Sequence, residues 1–308
     1  MTSELLARIR AGDERAVARG LSLVEAGGTE GQELLQQLRG AAGSSTLIGV
    51  TGTPGSGKST LVDRMVGQAR EREQRVAVLA IDPSSPFSGG AILGDRIRMM
   101  RWHDDDKVFI RSLASRGQLG GLSAATVQSA VLLEAAGFDR IIIETVGVGQ
   151  SEVDIATVAD VTVLVLTPGQ GDSVQAFKAG IMEIADIFVV NKADQPGVDR
   201  LRREIAALLS LGNYGEDDWK PPVISTIATS NEGVSKLEGR ISDMLLHDSR
   251  LGLVAARRRR RARFEVRALL GREIEARLDG ISDDVLDEVL AGRRSPLEVG
   301  LEWTGTGK

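Results

Sequence analysis

The segment that decides the fold is Gly52-Thr53-Pro54-Gly55-Ser56-Gly57-Lys58-Ser59, which satisfies the pattern GxxxxGKS/T. An apolar run, TLIGV, precedes it at residues 46–50, and a helical pattern follows at residues 58–72. In this strand, loop and helix order, glycines let successive backbone N–H groups face phosphate oxygens. Lys58 then reaches the β and γ oxygens and Ser59 is a ligand for Mg²⁺. An ordinary glycine turn before a helix is the less favoured reading. The contacts to a nucleotide are predicted to come from Gly52, Thr53, Pro54, Gly55, Ser56, Gly57, Lys58, Ser59 and Thr60.

Short apolar runs of strand length continue outward from this loop. They read TLIGVTG, VAVLAID, VFIRSL, RIIIETVG, VTVLVLT, IFVVNK and PVIST. Most are apolar at nearly every position, as strands covered on both faces must be. Helical patterns separate many of them, at residues 58–72, 123–136, 174–185 and 199–211. The alternation predicts an α/β fold, a P-loop domain with a mostly parallel central sheet flanked by helices.

Helical patterns also occupy both ends of the chain. Residues 5–38 have apolar positions near helical spacing, interrupted by Gly27-Gly28, which predicts two helices. After about residue 248 an apolar stripe runs from Val266 to Leu278, and Ser282 is placed to cap a second helix. The expected organisation is an N-terminal helical extension at residues 1–43, a P-loop domain at 44–248 and a C-terminal helical extension at 249–308.

Composition excludes several classes of function. The 308 residues allow one or two domains. There are no cysteines and only two histidines, so thiolate catalysis and cysteine metal sites are excluded and a dedicated zinc or nickel site is hard to build. A net charge of −5 and 3% aromatic residues give no general pull toward nucleic acid or anionic lipid. With no apolar run of about 18 residues or more, we expect no membrane association and a cytoplasmic protein.

A second motif selects the base. Asn191-Lys192-Ala193-Asp194 follows the apolar run IFVV. The Asp194 carboxylate can accept hydrogen bonds from N1–H and the 2-amino group of guanine, a pair of donors that adenine lacks. Asn191 can meet the ring edge or brace the phosphate loop, and the Lys192 stem can cover the base. Further on, Ala228 stands where a backbone N–H could meet the guanine oxygen, although Ile227 replaces the usual preceding serine. The predicted ligands are GTP and GDP.

Hydrolysis also requires a metal ion and an ordered water. Glu144 ends the run RIIIE, where P-loop proteins keep an acid that holds Mg²⁺ directly or through water, and Gly147 can offer its N–H to the γ-phosphate. Asp82 closes VAVLAID, and Asp95 returns toward the same end of the sheet. These two carboxylates could join the Mg²⁺ shell, polarise water or merely shape a turn. Gln150 is a weaker candidate for orienting the water.

The ordered set of segments resembles the MeaB/ArgK family. It comprises DPSSPFSGGAILGDRIRM at 82–99, LGGLS at 119–123, ETVGVGQSE at 144–152, PGQGDSVQAFKAGIMEIAD at 168–186 and NKAD at 191–194. The resemblance implies a SIMIBI-class P-loop GTPase that forms homodimers through helical extensions. It also implies that GTP hydrolysis gates delivery of adenosylcobalamin to methylmalonyl-CoA mutase and exchange of damaged cofactor.

The same resemblance implies roles for individual residues. Ser59, Asp82, Asp95 and Glu144 would surround Mg²⁺. The loop from Gly169 to Lys178 would be a mobile switch, with Asp172 and Lys178 as its working charges. We therefore expect Lys58, Asp82, Glu144 and Lys178 to take part in catalysis, slow in the GTPase alone and stimulated by its partner.

Alternative interpretations remain open. One is a protein kinase of a transport system, against which the guanine motif speaks. Another is a metal-insertion GTPase, against which the lack of cysteine speaks. The arginine run from Arg257 to Arg261, with Arg263, indicates an interaction surface for an acidic partner, nucleic acid or a membrane, or else a solvated helix face. The solvated face, with some of its arginines pairing with acids across a dimer, is the favoured interpretation.

Overall fold

The computed structural model describes residues 2–39, 45–82, 101–114, 122–145, 151–169 and 181–304. Seven strands lie in one sheet. They are β1 (Thr46–Gly52), β2 (Val76–Asp82), β3 (Val108–Ala114), β4 (Arg140–Glu144), β5 (Val161–Leu166), β6 (Ile187–Val190) and β7 (Val223–Ser225). All seven match the apolar runs of the sequence.

The sheet has the order β3-β2-β4-β1-β5-β6-β7, and every strand pairing within it is parallel. The predicted α/β fold is therefore confirmed. Parallel strands place their carboxyl ends at one edge, so the chain leaves β1, β4 and β6 toward the same side of the molecule. The phosphate loop and the NKAD segment begin there, which brings motifs distant in sequence to one crevice.

Helices cover both faces of the sheet. Those of the central part are α4 (Lys58–Glu71), α5 (Ala124–Ala135), α6 (Ser151–Val158), α7 (Val198–Leu211) and α8 (Val234–Arg250). The core between α4, α8 and the sheet is aliphatic, formed by residues such as Val50, Leu61, Val163 and Ile241. Helix α6 was not anticipated, because it is only eight residues long and its apolar positions do not follow a helical spacing.

The N-terminal segment contains three helices, α1 (Thr2–Arg10), α2 (Glu14–Ala26) and α3 (Thr29–Leu38). The expectation of two helices was wrong. Gly12 adopts φ 73°, and Asp13 caps α2 by accepting a hydrogen bond from the Ala16 N–H at 2.8 Å. Because this left-handed glycine and the cap interrupt the chain, α1 and α2 are separate helices.

Three helices follow α8: α9 (Val254–Leu278), α10 (Asp283–Leu290) and α11 (Pro296–Thr304). The described chain divides into a compact unit that ends at Arg261 and a second unit that begins at Ala262. The second unit exposes a series of large apolar side chains: Val266, Leu270, Ile274, Leu278, Leu286, Leu290, Leu297 and Leu301. Ser282 occupies the N-cap position of α10, without a side-chain hydrogen bond to the helix.

Within the described ranges, no helix combines the length and apolar composition needed to cross a bilayer.

Candidate nucleotide-binding site

The phosphate loop connects β1 to α4 through glycine conformations that other residues rarely adopt. Gly52 has φ 141°, and a Cβ added there would lie 2.0 Å from the Val165 carbonyl oxygen. Gly57 has φ 89°, and its added Cβ would lie 2.4 Å from Asn191 Nδ2. Both positions therefore require glycine, for backbone conformation and for space. The loop backbone approaches β5 and the NKAD segment more closely than any side chain would allow.

Lys58 begins α4 with its side chain almost fully buried. Its Nζ donates to the carbonyl oxygens of Gly52 at 2.8 Å and Thr53 at 3.0 Å. The ammonium group thus lies over the loop that it belongs to, where it can meet phosphate oxygens. The first turn of α4 has no acidic residue, so its positive helix end carries no competing carboxylate of its own.

Asn191 joins the phosphate loop to the base-side segments. Its Nδ2 donates to the Ser56 carbonyl oxygen at 2.8 Å. Its Oδ1 accepts hydrogen bonds from Thr226 Oγ1 at 3.0 Å and from the Ala228 N–H at 3.2 Å. Of the two roles considered for Asn191 from sequence, the structure shows the bracing of the loop. The Ala228 N–H, expected to face the guanine oxygen, donates to Asn191 in this structure.

Lys192 and Asp194 present their side chains differently. Lys192 has φ 56°, and its Nζ donates to the Gly55 carbonyl oxygen at 2.8 Å, so its stem extends from the NKAD segment to the phosphate loop. Asp194 is exposed, as a carboxylate that receives a base from solvent must be. Arg64 in α4 supports the neighbouring turn by donating to the carbonyl oxygens of Ala228 at 3.0 Å and Thr229 at 2.9 Å.

A buried pair of oxygen groups joins the first turn of α4 to the end of β4. Ser59 Oγ donates to Glu144 Oε1 at 2.6 Å, and both side chains are almost fully buried. Glu144 pairs in register with Ala80 of β2, and Asp82 ends that strand two residues later. A hydroxyl and a carboxylate are hard oxygen donors of the kind that Mg²⁺ prefers, so these residues fit the expected metal. When bound, Mg²⁺ would neutralise charge on the phosphate oxygens.

Glu152, in the first turn of α6, is a buried acid on the phosphate-loop side that the sequence did not single out. Its side chain is 4% exposed. Burial raises the pKa of Glu152 above its ordinary value, and the nearby positive charge of Lys58 opposes that shift. Asp154 accepts a hydrogen bond from the Leu122 N–H at 3.0 Å, and burial raises its pKa as well. The sequence offered one sign of this residue, the acid that ends the string GVGQSE. Its position near Lys58 depends on the formation of α6.

Four of the candidate residues, Asp95, Gly147, Gln150 and Lys178, lie outside the described residues, as does Asp172. For Asp82, the structure describes the backbone but not the side chain.

These features together define a P-loop GTPase: the parallel sheet, the glycine loop with its lysine, the buried Ser59–Glu144 pair, and the NKAD segment, whose Asn191 braces the phosphate loop. The chain belongs to the MeaB family, described as "Methylmalonyl Co-A mutase-associated GTPase MeaB", which matches residues 17–282.

Relatives agree with this assignment. A Pyrococcus abyssi protein that carries a GTPase name is 46% identical over 281 residues, which cover 91% of this chain and 87% of that protein. GTPase ArgK of Escherichia coli is 39% identical and covers 78% and 75% of the two chains. "Methylmalonic aciduria type A homolog, mitochondrial" of Mus musculus is 37% identical and covers 73% of this chain and 59% of that protein.

Solved structures share the fold. A crystal structure titled "LAO/AO transport system kinase" superposes with a TM-score of 0.75 at 27% identity, covering 99% of this chain and 96% of that one. The hydrogenase maturation factor HypB of Archaeoglobus fulgidus gives a TM-score of 0.50 at 17% identity, covering 70% and 98% of the two chains. At that identity the likeness to HypB concerns the fold alone.

Because the chain belongs to a family of GTPases, the protein hydrolyses GTP.

Proposed function

We propose that this GTPase acts as a chaperone of an adenosylcobalamin-dependent mutase. GTP hydrolysis would gate cofactor loading and protection of methylmalonyl-CoA mutase or a close acyl-CoA mutase. The observation that carries the proposal is the extent of the family match, which includes most of α2, all of α3 and all of α9 as well as the nucleotide site. A match confined to the phosphate and base loops would support nucleotide binding only.

We assign roles in the reaction as follows. Lys58 and the phosphate-loop N–H groups bind the β and γ oxygens, and Asp194 recognises guanine. Ser59 and Glu144, with Asp82 and Asp95, hold Mg²⁺. The Ala228 N–H meets the guanine oxygen, and the Gly147 N–H meets the γ-phosphate. Lys178 supplies the charge that arrives late, when the partner binds, a contribution that reaches about 10³ to 10⁵ in rate in other GTPases.

A homodimer is part of the same proposal. The unit from Ala262 onward exposes large apolar side chains along α9, α10 and α11, with Leu290 84% and Leu297 71% exposed. An exposed apolar series of this length is typical of an interface. Sedimentation of the purified protein tests this point, and a monomer at all concentrations would contradict it.

The deciding experiment measures GTP hydrolysis by the purified protein alone and during titration with the mutase from the same source. We expect a saturable rise in rate with GTP and none with ATP. The Lys58→Ala variant is the matched control, because it lacks the phosphate-binding ammonium but keeps the rest of the surface. With a folded, active mutase, an unchanged rate would contradict the chaperone function.

The two alternatives predict different products. A protein kinase would transfer the γ-phosphate of GTP to a protein rather than to water, which labelled nucleotide distinguishes. A metal-insertion GTPase would bind nickel. The chain has no cysteine, and the described residues contain no group of three or more histidine, aspartate or glutamate side chains that could hold a metal ion.

A further inference from the structure

The arginine run at the start of α9 contacts the compact unit to which it belongs. Arg257 pairs with Asp248 and, at 3.3 Å, with Asp186. Arg260 and Arg261 turn to a different partner, the end of helix α6. The run is therefore neither a fully solvated face nor a free basic patch.

The end of α6 is held by these two guanidinium groups. Arg260 Nη2 donates to the Ala156 carbonyl oxygen at 2.7 Å, and Arg261 Nε donates to the Val158 carbonyl oxygen at 2.6 Å. The last carbonyls of a helix lack partners within the helix and carry partial negative charge. The two arginines therefore supply hydrogen-bond donors to these carbonyl oxygens and, in doing so, fix the orientation of the helix.

Arg261 also connects α6 to the strand that leads into the phosphate loop. Its Nη2 donates to Asp160 Oδ1 at 2.6 Å, and Asp160 Oδ2 accepts the N–H of Leu47 in β1 at 2.9 Å. Along the same strand, Gly49 lies against α6, since a Cβ added there would be 2.4 Å from Ile155 Cγ1. The position of α6 is thus defined by β1 and by Arg261 together.

Helix α6 runs along β1 in the opposite direction, because Asp160 meets Leu47 at the start of the strand and Ile155 meets Gly49 further on. The first turn of α6 therefore lies toward the end of β1, where the phosphate loop begins, and it carries the buried Glu152. An eight-residue helix is about 12 Å long. A shift of α6 at Val158 therefore also moves its first turn, which carries Glu152.

We propose that Arg260 and Arg261 are positioning residues for GTP hydrolysis, which hold the end of α6 so that its first turn keeps Glu152 in place on the phosphate-loop side. The two arginines touch neither the phosphate loop nor the base segment in the described contacts. They act through α6, and they belong to the helix that continues to Leu278.

The position of α6 makes the expected kinetic effect specific. The first turn of α6 lies on the phosphate-loop side, whereas the base side is held by Asn191 and Arg64, which do not contact α6 in the described residues. Loss of the arginine contacts should therefore lower kcat by about ten- to a hundredfold, the scale that small misplacements produce, and leave GDP affinity within about twofold.

The test measures kcat, KM and GDP affinity of the full chain carrying Arg261→Ala, Arg260→Ala or Arg261→Lys. Arg260→Ala is the milder variant, since the hydrogen bonds of Arg260 are exposed. It keeps the proposal testable if the Arg261→Ala protein does not fold. Arg261→Lys retains one donor and should recover part of kcat. Arg111→Ala is the matched control, because Arg111 contacts Ala18, Ser22 and Glu25 of α2 instead, and it should leave kcat unchanged.

A double-mutant cycle separates positioning from general stability. If Arg261 acts through Glu152, Arg261→Ala should lower kcat much less in a Glu152→Gln background than in the wild type. Equal losses in the two backgrounds, or a loss of GDP affinity that parallels the loss of kcat, would overturn the proposal. An unchanged kcat in a folded Arg261→Ala variant would do the same.

Discussion

Asn191 Nδ2 lies 2.8 Å from the carbonyl oxygen of Ser56, although 135 positions separate the two residues in the chain. This hydrogen bond ties the base-recognising segment to the phosphate loop. Since Asn191 Oδ1 also accepts from Thr226 and Ala228, one buried amide organises three segments of the site.

Replacement of Asn191 by Ala should weaken GDP binding by about ten- to a hundredfold, because it leaves buried backbone groups without partners at a cost of roughly 1–3 kcal/mol. Asn191→Asp keeps the acceptor and loses the donor, so it should also weaken binding. Titration with a fluorescent GDP analogue measures both. Affinity equal to that of the wild type would show that the bracing has no part in nucleotide binding.

The Asp194→Asn variant should change base preference from guanine toward xanthine, since the new amide can donate to the xanthine 2-oxygen where the carboxylate accepted from the guanine amino group. We expect a loss of GTP affinity of about 100-fold or more. Competition between GDP and xanthosine diphosphate measures the change. Asp199→Asn, an exposed acid in the first turn of α7, is the control and should leave the preference unaltered.

Glu144→Gln should raise the Mg²⁺ concentration needed for half-maximal GTP hydrolysis and lower kcat, because it removes a negative charge beside Ser59. Magnesium titration at saturating GTP is the measurement. Glu204→Gln changes a half-buried carboxylate that pairs with the exposed Arg200, away from the site, and serves as the control. An unaltered magnesium requirement would remove Glu144 from the metal site.

Glu152→Gln should stabilise the nucleotide-free protein at neutral pH, and the gain should shrink as pH falls. Burial raises the folded-state pKa of Glu152 above the ordinary 4.5. The favourable contribution of its protonated form is therefore complete below 4.5 and is lost as pH rises through the folded-state pKa. Denaturant unfolding of both proteins across this range tests the sign. A difference that grows on acidification would contradict it.

Glu238→Ala should destabilise the fold by about 3–5 kcal/mol, because it leaves Arg140 buried without its carboxylate. Glu238 is fully buried in α8, and Arg72 adds a second ion pair at 3.5 Å. Chemical denaturation gives the free energy of unfolding. Glu204→Ala, which breaks an exposed pair, should cost no more than about 1 kcal/mol. Similar losses of unfolding free energy for the two variants would mean that the buried ion pair stabilises the fold no more than the exposed pair does.

The sequence alone determined the seven strands, the phosphate loop and the base motif. These features are local: a strand buried on both faces requires a continuous apolar run, and a phosphate loop requires glycines and a lysine at set spacing. Even the missed break between α1 and α2 had a local signal, the pair Gly12-Asp13.

Only the tertiary structure decided which polar groups meet. The hydrogen bonds of Asn191 with Ser56 and of Arg261 with Val158 join elements that are remote in sequence, and the burial of Glu152 depends on a helix with weak periodicity. A hydrogen bond depends on atoms placed within about 3 Å, and chain spacing carries no such information. The sheet supplies that precision because its parallel strands end at one edge and its close-packed core holds them there.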